Sequence, residues 1–244
     1  MGSTWGDSQL TLREAFAIVQ AGGVAGLPLS AAELAQINAS ASFGTNDAIN
    51  FGPGLAGGKI TLLQGQLALS KSIVVDASQL PGGLTIEAYD PTPATNSGTG
   101  TRVFEFTDPG LGAIPAVSLM GLTVQGGDTW FSANGGAIRS TVALTLVGCT
   151  IQDNSSFGEG GGIYVQPLRA PATLNKPLLH LVNTTIAYNS SSGHGGGVYF
   201  DGTSVGDVTG QSVVITSSDI HHNRASSGDG GGVRFHKALI AKSE

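Results

Sequence analysis

A seven-residue segment returns twice at a fixed interval, and few architectures tolerate such a recurrence. Glu159-Gly160-Gly161-Gly162-Ile163-Tyr164-Val165 reappears as His194-Gly195-Gly196-Gly197-Val198-Tyr199-Phe200 and as Asp229-Gly230-Gly231-Gly232-Val233-Arg234-Phe235, with a step of 35 residues each time. An earlier copy, Asn134-Gly135-Gly136-Ala137-Ile138-Arg139, starts 25 residues before Glu159. A second element precedes each triplet: Thr150-Ile151-Gln152-Asp153-Asn154, Thr185-Ile186-Ala187-Tyr188-Asn189 and Asp219-Ile220-His221-His222-Asn223. A bare circuit of 25 residues, lengthened at Pro167–Pro177 and Asp201–Gln211, is the pattern of a solenoid with one permitted insertion corner, because each coil touches only its neighbours.

The strand period agrees. From Ala48 onward apolar residues alternate in short runs, as in Ile60 and Leu62, Leu67 and Leu69, Ile73 and Val75, Leu84 and Ile86. Longer runs follow at Val103–Phe106, Val117–Val124, Val142–Ile151, Leu178–Ile186 and Val213–Ile220. Alternation between Gly, Pro, Asn and Ser clusters reads as strands with one buried face. No helix-length segment separates them, so βαβ units are excluded. Helical period is confined to the start. Leu12, Ala15, Phe16 and Val19 share one face over Leu10–Gln20, Thr11 and Glu14 form a capping-box pair, and Gly22-Gly23 stops the helix. A second helix is expected over Ser30–Asn38. Residues 1–47 are thus expected to form a capping segment over the N-terminal end of the core, and residues 48–244 the coils.

Composition narrows the partners. Lys and Arg number 11 against 17 Asp and Glu, a net charge of −6, which disfavours a nucleic-acid partner. No apolar run approaches membrane-spanning length, so no membrane insertion is expected. The lone Cys149, between Val147 and Ile151, reads as a core residue. The start Met1-Gly2-Ser3-Thr4-Trp5-Gly6-Asp7 lacks the basic and apolar stretches of a signal peptide. The chain's poverty in Lys and Cys and its wealth of Gly, Ser, Thr and Asn are those of secreted bacterial proteins.

Several of these segments resemble those of right-handed parallel β-helix proteins of bacterial surfaces and secretions. Leu10-Thr11-Leu12-Arg13-Glu14-Ala15-Phe16 is similar to the Cys-Ser-Leu-Arg-Glu-Ala-Ile motif that opens many of them, with Leu10 in place of Cys and Phe16 in place of Ile. Asp47-Ala48-Ile49-Asn50-Phe51 resembles the strand that follows, and the Gly-Gly-Ala-Ile copies resemble the polymorphic outer-membrane-protein repeat. The resemblance implies an all-β, right-handed, single-stranded parallel β-helix in a secreted or cell-surface setting. Such families contain adhesins, autotransporter passengers and carbohydrate-active enzymes, so it implies no single activity.

Three columns carry the candidate chemistry. Asn154, Asn189 and Asn223 are expected to stack as an internal ladder. Asn134, Glu159, His194 and Asp229 precede the triplets, on coils about 4.8 Å apart. Glu159, His194 and Asp229 are the candidate general acid/base set, and the competing reading is a ladder of alternating charge. His194 and Asp229, joined by His222, are the candidate ligands for a divalent metal, zinc or calcium. In a strand, His221 and His222 face opposite sides, so only one of them is expected beside His194. Arg139, Tyr164, Tyr199 and Arg234 form an adjacent outward column suited to sugars, which stack on aromatic rings and bond to guanidinium groups.

The leading functional expectation is a secreted or cell-surface module for glycan binding, cell-surface binding or adhesion, with no cofactor and with a carbohydrate or cell-surface ligand. Homo-oligomerisation through an exposed C-terminal coil is an accompanying expectation. The competing expectation is a hydrolase or polysaccharide lyase, metal-dependent or not, working through the acid–His–acid ladder. The third is a purely structural segment of a larger passenger or filament.

Overall fold

A computed structural model describes residues 5–38, 43–44, 47–91, 98–129, 133–171, 175–205, 209–210 and 212–241. Strand is the predominant regular structure, gathered into four sheets whose strand pairs are all parallel among the described residues. A seven-stranded sheet runs from Ala48–Asn50 to Ile240–Ala241. A six-stranded sheet, here the triplet sheet, contains Phe104–Phe106, Ile138–Ser140, Ile163–Val165, Val198–Asp201 and Val233–His236, with Leu67–Leu69 at one edge. A second six-stranded sheet runs from Gly58–Leu62 through Leu84–Ala88, Leu122–Gln125, Thr150–Gln152 and Thr185–Ala187 to Asp219–His221. A four-stranded sheet holds Asp128–Thr129, Ser155–Ser156, Ser190–Ser191 and Arg224–Ala225. The chain visits the sheets in rotation, and each strand pairs with its counterpart one circuit on.

Inward residues stack on their own kind. Ile138, Ile163 and Val198 follow one another in register beneath Phe104, and all four are fully buried. Leu119, Leu146 and Leu181 do the same in the seven-stranded sheet, and Val124, Ile151 and Ile186 in the second six-stranded sheet. Each such side chain contributes about 1.5–3 kcal/mol of transfer free energy.

The expected runs over 117–124, 142–151, 178–186 and 213–220 are each two strands in different sheets. The break falls at Gly121, Gly148, Asn183 and Ser217, all left-handed, with φ between 48° and 65°. Gly121 has a second reason to be glycine, since a Cβ there would lie 2.7 Å from the Ser78 backbone. The triplets divide their labour in the same way. Gly160 turns the chain at φ 67°, whereas a Cβ on Gly161 would lie 2.2 Å from the Ser190 carbonyl oxygen of the next coil.

Helix α1, Leu12–Ala21, covers the Leu67–Leu69 edge of the triplet sheet. Thr11 and Glu14 exchange the reciprocal capping-box bonds and Gly22 ends the helix at φ 75°. Phe16 stacks on Phe104 at 5.9 Å. Arg13 donates to the carbonyls of Gly65 and Gln66, at 2.5 and 3.1 Å, and Gln20 exchanges bonds with Ser70, so both ends of the helix are fastened to the first turn it covers. The second helix is shorter than expected. Helix α2 spans Ala31–Leu34 behind the Ser30–Glu33 capping box, and with Leu34 45% exposed it has no apolar face to bury over further turns.

Candidate functional site

The column before the triplets is a hydrogen-bonded ladder. The Glu159 amide donates to Asn134 Oδ1 at 2.8 Å, the His194 amide to Glu159 Oε2 at 2.5 Å, and the Asp229 amide to His194 Nδ1 at 2.6 Å. Each side chain thus accepts from the backbone of the following coil. By this geometry His194 Nδ1 carries no proton, and the approach of Asp229 Oδ2 to the same nitrogen at 3.9 Å is no ion pair in that tautomer. The Glu159 carboxylate meets the His194 amide rather than its ring, so the acid–histidine relay expected of this set lacks its first link.

The outward column Glu105, Arg139, Tyr164, Tyr199 and Arg234 lies in register across the triplet sheet. Arg139 Nη1 is bound to Glu105 Oε1 at 2.8 Å, which adds Glu105 to the expected column. The Tyr164 and Tyr199 rings stack at 5.6 Å and 6°. Tyr164 is only 5% exposed, and its phenol is pushed up to about 12 by burial, then by the charge of Asp201. These rings turn faces to one another, which leaves mainly edges and hydroxyls for a ligand.

His222 does not join His194 and Asp229. It lies before the strand Arg224–Ala225, whereas Asp229 follows that strand. The expectation that His221 and His222 point apart is also corrected. His222 adopts φ 52°, leaving the extended conformation, and the two Nδ1 atoms stand 2.7 Å apart. Among the described residues, no group of three or more His, Cys, Asp and Glu side chains is arranged to hold a metal. Cys149 is 2% exposed and its thiol is pushed up to about 11 by burial, which removes it as a nucleophile at neutral pH.

The second six-stranded sheet presents a column that the sequence reading did not single out. Thr61, Glu87 and Gln125 succeed one another in register, Gln152 donates to Gln125 Oε1 at 3.2 Å, and Ala187 and His221 continue the column. Beside its first members opens a cleft of about 310 Å³, lined by Thr61, Glu87, Tyr89, Asp90, Gln125, Asp128 and Asp153 among others. Burial pushes the Glu87 carboxyl upward, but hydrogen bonds from Gln125 and Lys59 and the lysine's charge outweigh it and hold the group below its ordinary value. Lys59 Nζ lies 3.0 Å from it and Gln125 Nε2 2.9 Å. Asp128, 3% exposed, accepts from the Gly98 amide and the Ser155 hydroxyl, each at 2.6 Å. Tyr89, 51% exposed, follows Leu84–Ala88, and Tyr188, 55% exposed, follows Thr185–Ala187 at the same end of the parallel sheet. These residues come from strands and turns 26 to 38 positions apart, and no local motif announces them.

Fold and site together define an all-β repeat protein of four parallel sheets with a carboxylate-lined cleft on one of them. In comparisons with models of protein families, with curated proteins and with solved structures, none matches the chain.

Proposed function

We propose that the circuits wind as a right-handed parallel β-helix and that the chain is a secreted or cell-surface module which binds carbohydrate along its second six-stranded sheet. The handedness rests on the strong preference of parallel strand connections for the right-handed crossover. The binding reading rests on one observation: a cleft of about 310 Å³ pairs an exposed tyrosine with four carboxylate side chains and the Gln125 carboxamide. Carboxylates accept from vicinal hydroxyls, a carboxamide both donates and accepts, and an exposed ring packs against the C–H face of a pyranose.

Charge selects the class of sugar. Glu87, Asp90, Asp128 and Asp153 line the cleft, with Lys59 paired to Glu87. Such a site repels uronic-acid polymers and favours neutral or amino-sugar chains. Calorimetric titration with neutral and amino-sugar oligosaccharides tests this, with oligogalacturonate as the contrast. The expected result is binding that Tyr89→Ala weakens by about tenfold. Equal affinity for oligogalacturonate, or an unaffected Tyr89→Ala variant, overturns it. Several carboxylates around one cleft also favour a second reading, glycoside hydrolysis at the same place, which release of reducing ends during the same incubation distinguishes from binding alone.

A further inference from the structure

His221, His222, Asp219 and Tyr188 meet at the far end of the second six-stranded sheet. The two imidazoles are perpendicular, with centroids 4.9 Å apart, and a hydrogen bond of 2.7 Å joins their Nδ1 atoms. The distal nitrogen of His221, Nε2, faces Asp219 Oδ2 at 3.7 Å. The Tyr188 ring stacks on His222 at 5.0 Å and meets His221 edge-on at 5.7 Å. His222 and Tyr188 both sit in the left-handed conformation, at φ 52° and 58°, which brings the two adjacent histidines to one side of the chain.

We propose that His221 and His222 form a surface site for a divalent transition-metal ion, ligated through both Nδ1 atoms. Two nitrogens about 2.0 Å from one ion and at a right angle to each other stand about 2.8 Å apart, the cis arrangement of a tetragonal copper(II) or nickel(II) centre. The ion displaces the proton held between the two Nδ1 atoms, and the Asp219 carboxylate, 3.7 Å from His221 Nε2, adds negative charge beside the cation. Tyr188 restrains the His222 ring. Two imidazoles supply two positions and water the rest. The site shares no residue with the Glu87–Asp128 cleft, and it is not the His194–Asp229 set.

The test uses Cu²⁺ alone, added to the full chain at neutral pH after His180, His194 and His236 are replaced by Gln. One equivalent is expected to give an electron paramagnetic resonance spectrum with coupling to two imidazole nitrogens. His221→Ala and His222→Ala each lower the affinity by at least roughly tenfold, and Asp219→Asn by a smaller factor. His222→Phe keeps the stack on Tyr188 while removing the nitrogens, so it separates ligation from packing and is expected to bind as weakly as His222→Ala. Binding undiminished by His221→Ala or His222→Phe, or a spectrum without two imidazole nitrogens, overturns the proposal.

Discussion

Two columns of side chains hold neighbouring coils together, and they do so in opposite directions. In the internal column, Asn154 Nδ2 donates to Asn189 Oδ1 at 2.9 Å and Asn189 Nδ2 to Asn223 Oδ1 at 3.0 Å, while the Asn154 and Asn189 amides donate to the same oxygens. There each side chain accepts from the coil before it. In the column before the triplets, the side chains of Asn134, Glu159 and His194 each accept from the coil after it. The internal position must donate and accept at once, in a space where Asn154 and Asn189 are at most 2% exposed, so only a carboxamide serves. The outer position only has to accept. Asn, Glu and neutral His all meet that demand in this chain, and the resulting mixture of residue types looks like chemistry when read along the sequence.

The sharpest way to break this comparison is Asn189→Ala. It strands the Asn154 amide and the carbonyls of Ile151 and Ala187, which Asn189 Nδ2 reaches at 2.9 and 3.0 Å. A loss of about 2–4 kcal/mol in urea unfolding is expected, and a loss no greater than that of an exposed substitution would sink the ladder account. The outer column predicts a smaller and more selective effect. His194→Ala is expected to lose about 1 kcal/mol, while His194→Asn, which restores an acceptor as Asn134 does, stays within about 0.5 kcal/mol of the parent. Equal losses in the two variants would mean that the ring, not its lone pair, matters.

Acid sharpens the contrast further. The Asn column carries no titratable group, whereas an ion pair joins Asp108, in the loop after Phe104–Phe106, to Arg169 in the Pro167–Pro177 insertion, with Asp108 Oδ2 accepting from Arg169 Nε at 2.5 Å. The Arg169 hydrogen bond holds the Asp108 carboxyl below its ordinary value, against the upward push of burial. Its stabilisation is therefore fully present above the unfolded value of about 3.9 and is lost as pH falls through the lower folded value. Asp108→Asn is expected to flatten the pH dependence of stability below about pH 4 by a fraction of a kcal/mol, while Asn189→Ala leaves that slope unchanged.

The parallel strands, the capping helix and the stacked columns were legible because each is written as a repeat or a local cap. The second helix was overread, since Ser30 and Glu33 mark a start but nothing nearby marks what the helix must pack against. The breaks at Gly121, Gly148, Asn183 and Ser217 were hidden within apolar alternation, because one left-handed residue changes the sheet without interrupting the pattern. The same blindness placed His221 and His222 on opposite sides. Glu87, Gln125 and Asp128 escaped notice as a cleft because their proximity comes from register between coils, which no short stretch of sequence states.

The helix fastened over the first turn also sets a mechanical polarity. Each sheet pairs a strand only with its neighbours on adjoining circuits, while Leu67–Leu69 is clamped by α1 through Arg13 and Gln20. A pull applied from the Val233–His236 side therefore meets circuits it can peel singly, each 35-residue repeat paying out roughly 120 Å of chain before the next is loaded. Force on the chain is shed circuit by circuit, with the clamped turn the last to yield.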